Sequence, residues 1–301
     1  MAEFWFVEIE MPFPLLASFE ELLGETGGIA VSSYETAPTP DPDTATWCLQ
    51  VLLDAPPDHA AWARSLQGVA SQIGLTMPVI RSGYLPDQDW VSHTNRLNAP
   101  VRCGRFFLHG QHDRGQVPPG SLPLWLEAGL AFGTGRAPST FGCLLAIEQL
   151  CRTRRPGRVL DFGCGSGVLA MAAARMGAGR VLAADIDPVA IGVARENARR
   201  NGLGLQLHCL VADRPADPRL GGRFDLVLAN ILAGPLRRMA RDLSRRVAPG
   251  GHLVLSGLLA REDASIVAYY RAQGLVLRRR IAREGWHSLI FARPSGNITD
   301  R

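Results

Sequence analysis

The residues best suited to chemistry fall in one stretch, Val159-Leu160-Asp161-Phe162-Gly163-Cys164-Gly165-Ser166-Gly167. An apolar run ends at an acid, and three alternate glycines then open into a helix-forming segment. Glycine lets a chain turn tightly and brings its backbone close to a ligand at the carboxyl edge of a sheet. A G-x-G-x-x-G turn holds a pyrophosphate at a helix N-terminus. Here the spacing is G-x-G-x-G, and the carboxylate of Asp161 lies beside the place a phosphate would take. That charge suits a cationic ligand and points to S-adenosylmethionine. A nicotinamide nucleotide and a merely structural strand–helix turn are the alternatives.

Other polar residues close the neighbouring apolar runs. Asp185, in Ala183-Ala184-Asp185-Ile186-Asp187-Pro188, stands where a carboxylate can accept both hydroxyls of a ribose. Asp187 precedes Pro188, which is the place of a helix N-cap, so Asp185 is assigned to ribose and Asp187 to capping. Asp213 either reaches an adenine amino group or is a solvated loop aspartate. Asn230 ends the fourth run in Ala229-Asn230-Ile231-Leu232-Ala233-Gly234-Pro235-Leu236. Its amide either orients an acceptor amine and the sulfonium substituents or forms a turn. His287 beside Trp286 reads as a packed or surface residue.

The elements that must position these residues alternate strictly from 158 onward. Strands are expected at 158–162, 180–185, 205–211, 224–229 and 253–257, with helices at 167–176, 188–201, 236–247 and 261–273. Two last strands, 275–282 and 287–293, are expected to pair antiparallel. Short apolar strands between helices make an α/β, doubly wound, seven-stranded and mostly parallel sheet of Rossmann-like form. Upstream, strands at 101–109 and 122–127 lead through a Gly-rich turn, 131–140, into a helix from 141 to 152. The front of the chain reads as strands at 4–10, 29–35, 46–54 and 77–83 with helices at 15–24 and 57–72. That βαββαβ order is a ferredoxin-like α+β arrangement. It carries no catalytic constellation, which suits a recognition module. The expected domains are 1–83 (ferredoxin-like), 84–100 (linker), 101–294 (catalytic) and 295–301 (flexible tail).

Composition narrows the chemistry. Of 301 residues 47% are apolar and 20% charged, enough apolar material for a packed core, and the net charge of +4 permits a nucleic-acid partner without requiring one. Every basic residue other than histidine is arginine. With no lysine, Schiff-base chemistry, a lysine general base and a P-loop lysine are excluded. The six cysteines form no C-x-x-C pair, so no metal site is expected and the thiols should be reduced and mostly buried. No apolar run approaches a membrane span and residues 1–10 lack a basic signal-like region, so a cytoplasmic protein is expected.

Three segments together resemble one family. Ala131-Phe132-Gly133-Thr134-Gly135, the turn around Gly163 and the run from Asn230 to Leu236 are similar to the bacterial ribosomal protein L-eleven methyltransferase family (PrmA) over about residues 128–256. The resemblance implies trimethylation of the N-terminal α-amine and lysine ε-amines of one large-subunit ribosomal protein. It also implies cofactor contacts by Thr140, Gly163, Asp185 and Asn230. Gly165, Gly167, Phe132 and Gly133 complete the expected cofactor set, and Asn230 is the expected catalytic residue. A monomer is expected. The arginine runs 152–155, 237–246 and 278–280 read as solvated faces, or as a basic face against ribosomal RNA. One departure is local: Ala137 stands where the family turn carries histidine, and Ser139 where it carries the first of two threonines. It keeps two other readings in play, a methyltransferase for another protein or small amine and a cofactor-binding module without turnover.

Overall fold

The computed structural model describes residues 4–12, 30–35, 46–53, 55–60, 62–64, 67, 79–85, 100–126 and 137–295. The chain divides into two compact units, Met1–Asn98 and Ala99–Arg301.

The first unit holds strands β1 (Phe4–Pro12), β2 (Ala30–Glu35), β3 (Thr46–Leu53) and β4 (Val79–Leu85) in one antiparallel sheet of order β2-β3-β1-β4. This is the strand order of a split βαβ arrangement. Period-two alternation sets its faces: Val7, Ile9 and Met11 are buried while Glu8 and Glu10 lie opposite, with Gln50 donating to Glu8 Oε1 at 2.9 Å across the register. The helix expected at 57–72 is seen at residues 59–60, 62–64 and 67. The one expected at 15–24 lies outside the described residues. Tyr84 and Leu85, expected to open a linker, instead pair with Trp5 and Phe4 and belong to β4.

In the second unit the single strand expected over 101–109 is a hairpin, β5 (Val101–Cys103) and β6 (Phe106–His109). Gly104 turns it at φ +54°, and a Cβ there would run into the Glu148 carboxylate. β7 (Leu122–Trp125) pairs parallel to β6. After helix α1 (Pro138–Thr153) come β8 (Arg158–Phe162), α2 (Val168–Arg175), β9 (Arg180–Asp185), α3 (Pro188–Arg200), β10 (Leu207–Val211) and β11 (Phe224–Asn230). The chain finishes with α4 (Ala233–Arg238), α5 (Ala240–Arg246), β12 (Val247–Leu259), α6 (Asp263–Arg271), β13 (Val276–Arg283) and β14 (Trp286–Ala292).

The seven-stranded sheet has the order β10-β9-β8-β11-β12-β14-β13. β8 to β12 run parallel, β14 is antiparallel to β12, and β13 is antiparallel to β14. Alternation along each strand feeds two cores. Val159, Leu226, Leu228 and Val254 pack with α1, α2 and α3, whereas Leu160, Val227 and Leu255 pack under α4, α5 and α6, whose Tyr270 is buried among them. Strands buried on both faces read as unbroken apolar runs, which is why they were legible. Edge strand β13 shows Arg278, Arg279 and Arg280 to solvent, charges that discourage edge-to-edge pairing.

Some boundaries moved for identifiable reasons. Leu205 is 99% exposed and precedes β10, since the ladder to Val181 begins at Leu207. The helix expected over 236–247 is two, α4 and α5, meeting at Met239. Val247 already pairs with Phe224 in the sheet. Pro249-Gly250-Gly251, just past that expected helix, lies within β12. There Gly250 takes φ +73° and donates to the Arg293 carbonyl. Among the described residues no helix is long and apolar enough to cross a membrane.

Candidate active site

The glycine turn is built by backbone geometry. Gly163, Gly165 and Gly167 take φ of +74°, +51° and +77°, in the left-handed region that side-chain-bearing residues avoid. The N–H groups of Gly163 and Cys164 both donate to the Ala184 carbonyl, at 2.8 and 3.0 Å, which lays the turn against the end of β9. A Cβ on Gly167 would come within 3.0 Å of the Ala194 Cβ, so the turn also needs glycine for close packing against α3.

Two carboxylates flank this turn. Asp185 is half-buried; its Oδ2 accepts the Gly165 N–H at 2.8 Å and its Oδ1 the Asp187 N–H at 3.1 Å. It is thereby fixed at the carboxyl edge of β9. Asp161 is fully buried, and its Oδ2 accepts the Ala170 N–H at 2.9 Å while Oδ1 has no partner among the described residues. Burial pushes the Asp161 carboxyl up to about 7; the Ala170 N–H works against this, and the charge of Asp185 adds to it. A buried carboxylate oxygen without a donor is costly in isolation and is relieved by a cation nearby.

Asp187 caps α3, accepting the Val189 N–H at 2.7 Å beside Pro188 in the first helical position. Asp213 is exposed beyond β10, in the field of Arg219. The six cysteines are free, and all but the half-buried Cys209 are buried. Among the described residues no group of three or more His, Cys, Asp or Glu side chains is placed to hold a metal.

Asn230 and Thr140, ninety residues apart, meet in space. Asn230 Nδ2 donates to Thr140 Oγ1 at 3.2 Å, joining the end of β11 to the first turn of α1. Thr140 is 2% exposed and Asn230 is half-buried. Phe132 and Gly133 lie outside the described residues. Ala137 sits in the N-cap position of α1 with φ −55° and ψ 131°, and it makes no side-chain cap there.

Several residues that support this corner drew no attention in the sequence. Ser256 lies beside Asn230 in register; its Oγ is 3.2 Å from the Ser139 and His287 carbonyl oxygens and 2.7 Å from Ser288 Oγ. Its single proton serves one of these at a time, and together they tie the start of α1, and so Thr140, to the sheet. Gly142 lets α1 approach, because a Cβ there would overlap Ser288 Oγ. Gly257, at φ +81°, would place a Cβ 2.5 Å from the Ile231 carbonyl, and a Cβ on Gly163 would meet the Ile231 side chain. Both glycines therefore clear room for the turn after Asn230. Serine and glycine at a strand end read as ordinary turn residues, so only the fold exposes their role.

His287 is half-buried and has a charged partner. Its Nδ1 and the Arg280 Nε each lie 2.8 Å from Asp263 Oδ2, which joins the start of α6 to β13 and β14.

The arrangement fits S-adenosylmethionine. Positive-φ glycines shape the turn and let it pack tightly against Ile231 and Ala194, Asp185 presents a carboxylate at the edge, and Asp161 keeps one buried oxygen unpaired among the described residues. The family model for ribosomal protein L11 methyltransferase (PrmA) matches residues 22–294. The chain is 42% identical over 269 residues to the ribosomal protein L11 methyltransferase of Bradyrhizobium diazoefficiens, covering 88% of each chain. It is 45% identical over 204 residues to that of Brucella suis, covering 67% of this chain and 72% of the relative. Among solved structures it is similar to the ribosomal protein L11 methylase of Lactobacillus delbrueckii subsp. bulgaricus. That likeness has a TM-score of 0.60 at 28% identity and covers 65% of this chain and 98% of that one. Sheet order, glycine turn and sequence relatives agree, and the chain belongs to the ribosomal protein L11 methyltransferase family.

Proposed function

We propose that this chain transfers methyl groups from S-adenosylmethionine to amino groups of ribosomal protein L11, at lysine ε-amines and the N-terminal α-amine. The observation that carries the reading is the Asn230–Thr140 hydrogen bond at the carboxyl edge that also holds the Gly163–Gly167 turn and Asp185. When bound, the cofactor supplies a methyl group already activated on a sulfonium. The protein's task is then mainly positioning. Asp185 accepts the ribose hydroxyls, Gly163, Gly165 and Gly167 let the backbone approach, and Thr140 orients Asn230. The Asn230 side-chain oxygen faces the acceptor amine. Phe132 and Gly133 belong to the same binding set.

A lysine amine with an ordinary pKa of ~10.4 is mostly protonated near neutrality, and desolvation lowers that pKa. The amine therefore gives its proton to water without a dedicated base, as no His, Lys or Glu lies in the turn after β11. A single substitution elsewhere that abolished turnover, yet spared fold and cofactor affinity, would sink this part of the mechanism.

The domain assignment follows from the same reading: the first unit, through the end of β4 at Leu85, recognises the substrate and residues 101–294 catalyse, while the linker and tail expected at 84–100 and 295–301 lie mostly outside the described residues. The protein acts in the cytoplasm as a monomer, and its basic faces touch ribosomal RNA. Ala137 favours a second reading, that another protein or small amine is the acceptor. Radiolabelled methyl transfer to purified ribosomal protein L11, with an unrelated basic protein beside it, decides between them. Label on L11 alone is expected. Cofactor binding without label on L11 would overturn the substrate.

A further inference from the structure

At the end of the sheet away from the glycine turn, the β5–β6 turn and the C-terminal ends of α1 and α2 enclose a recess of about 260 Å³. Arg105, Arg152, Arg155 and Arg175 line it, over Cys151 and Met176. No carboxylate lines it. Glu148, a helical turn before Arg152, lies 3.7 Å from that guanidinium and accepts the Arg105 backbone N–H at 3.2 Å. The Arg105 and Arg155 guanidinium groups make no hydrogen bond or ion pair among the described residues. Arg175 is held by one nitrogen, Nη2, which donates to the Asn201 carbonyl at 2.8 Å, while its buried Nε has no acceptor.

Helix ends explain only half of this. Arg152 and Arg175 stand in the last turns of α1 and α2, where a cation complements the helix dipole. Arg105 lies in a hairpin turn and Arg155 beyond the end of α1, so dipole compensation accounts for neither. Four guanidinium groups around one hollow repel each other unless an anion lies between them. Their planar forks match the oxygens of a phosphate.

We propose that this recess binds a phosphate group of an RNA backbone. RNA is favoured over a free phosphate because exposed Arg154, Arg158 and Arg180 continue the same basic end of the sheet, as a ligand with repeated charges requires. The choice of RNA also rests on the reading above that the substrate is a ribosomal protein, whose natural surroundings are RNA. This site lies apart from the methyl-transfer corner and serves docking.

The test uses the full chain and its Arg105→Ala/Arg155→Ala double variant, with Arg271→Ala/Arg278→Ala removing equal charge from exposed sites elsewhere. Binding of a fluorescein-labelled oligouridylate is followed by anisotropy as salt is varied. The recess variant is expected to bind about tenfold more weakly, with a salt slope shallower by roughly 1.4 for two lost contacts to a single strand. It should keep the parent's melting temperature and its methyl transfer to isolated ribosomal protein. The control pair should bind within about twofold of the parent. Equal loss in both variants would overturn the proposal, as would undiminished binding in the recess variant. Phosphorus NMR with inorganic phosphate separates the sources: a recess that takes phosphate while oligouridylate binding ignores it would overturn the RNA assignment. Failure of the parent to methylate the ribosomal protein would strike the proposed function and remove that support for RNA, while the anisotropy difference between the two variants would still decide whether the recess binds it.

Discussion

Acids predominate at one end of the central sheet and arginines at the other, where Asp225 is spent on the Gly157 and Arg158 N–H groups, and each end divides into residues the fold consumes and residues it leaves over. At the carboxyl edge stand Asp161, Asp185, Asp187 and Asp213; at the other, Arg105, Arg152, Arg155, Arg158 and Arg175. Asp187 is used up in capping α3, as Arg152 and Arg175 answer the dipoles of α1 and α2. Arg158 is partly occupied too, its guanidinium lying 4.7 Å from the Phe224 ring centroid. What remains is Asp161, with one oxygen unpaired, and Asp185, held only by backbone N–H groups, on one side, and on the other Arg105 and Arg155, whose guanidinium groups have no partner among the described residues. The contrast teaches that charge alone is a poor guide to a site. The informative charges are those the local fold has not already neutralised.

The sharpest way to break the comparison is at the corner where the carboxyl edge meets α1. Asn230→Ala removes the side chain that touches Thr140 and, on the proposed mechanism, faces the amine. Methyl transfer should fall by about 100-fold, the scale of loss when a reactant is poorly placed. Cofactor affinity, read by calorimetry, should change far less. Equal losses in both would make Asn230 a binding residue only.

A second, smaller effect concerns Asp161. Burial raises its carboxyl from 3.8 to about 7 in the folded chain. An acid raised by folding contributes stability that is complete below its unfolded value and is lost as pH climbs through the folded one. The melting temperature of the ligand-free protein should therefore fall between about pH 4 and 7 relative to Asp161→Asn, then run parallel above that range. A cation bound nearby favours the ionised form, so affinity for S-adenosylmethionine should rise by about tenfold from pH 6 to pH 8. S-adenosylhomocysteine, whose sulfur is neutral, should show a weaker rise. An affinity for S-adenosylmethionine that ignores pH would mean Asp161 senses no ligand charge.

Much of this edge was legible because it depends on local rules. Strands buried on both faces, glycines at alternate positions, and an aspartate before proline each announce themselves over a few residues. The support of Thr140 does not. Ser256, Ser288 and Gly142 come together from two strands and a helix, and nothing near any of them signals hydrogen bonding or close packing. Long-range pairing also decided the misread boundaries. Tyr84 and Leu85 look like linker until β1 pairs with them, and Gly250 looks like a break until the Arg293 carbonyl, just past β14, holds it beside the sheet. The arginine recess was hidden for the same reason. Arg105, Arg155 and Arg175 are spread over seventy residues, and only Arg155 stood in a run that composition picked out.

The finest test separates two acids at the same edge, two residues apart. Asp187 accepts the Val189 N–H and leaves the ligand to Asp185, so Asp187→Ala should cost about 1 kcal/mol of stability by loss of a cap. Cofactor affinity should hold within about twofold, because Asp185 keeps its bond to the Gly165 N–H. Asp185→Ala should do the reverse, weakening cofactor binding by roughly 10- to 100-fold, the value of hydrogen bonds to a charged group. Denaturant melts and calorimetry on both variants read the two quantities independently. Should Asp187→Ala lose affinity as steeply as Asp185→Ala, the two carboxylates act as one unit, because Asp185 Oδ1 also accepts the Asp187 N–H and the cap then holds the ribose ligand in place. In that case capping and binding are a single device at this edge, and the division between consumed and spare charge fails where it matters most.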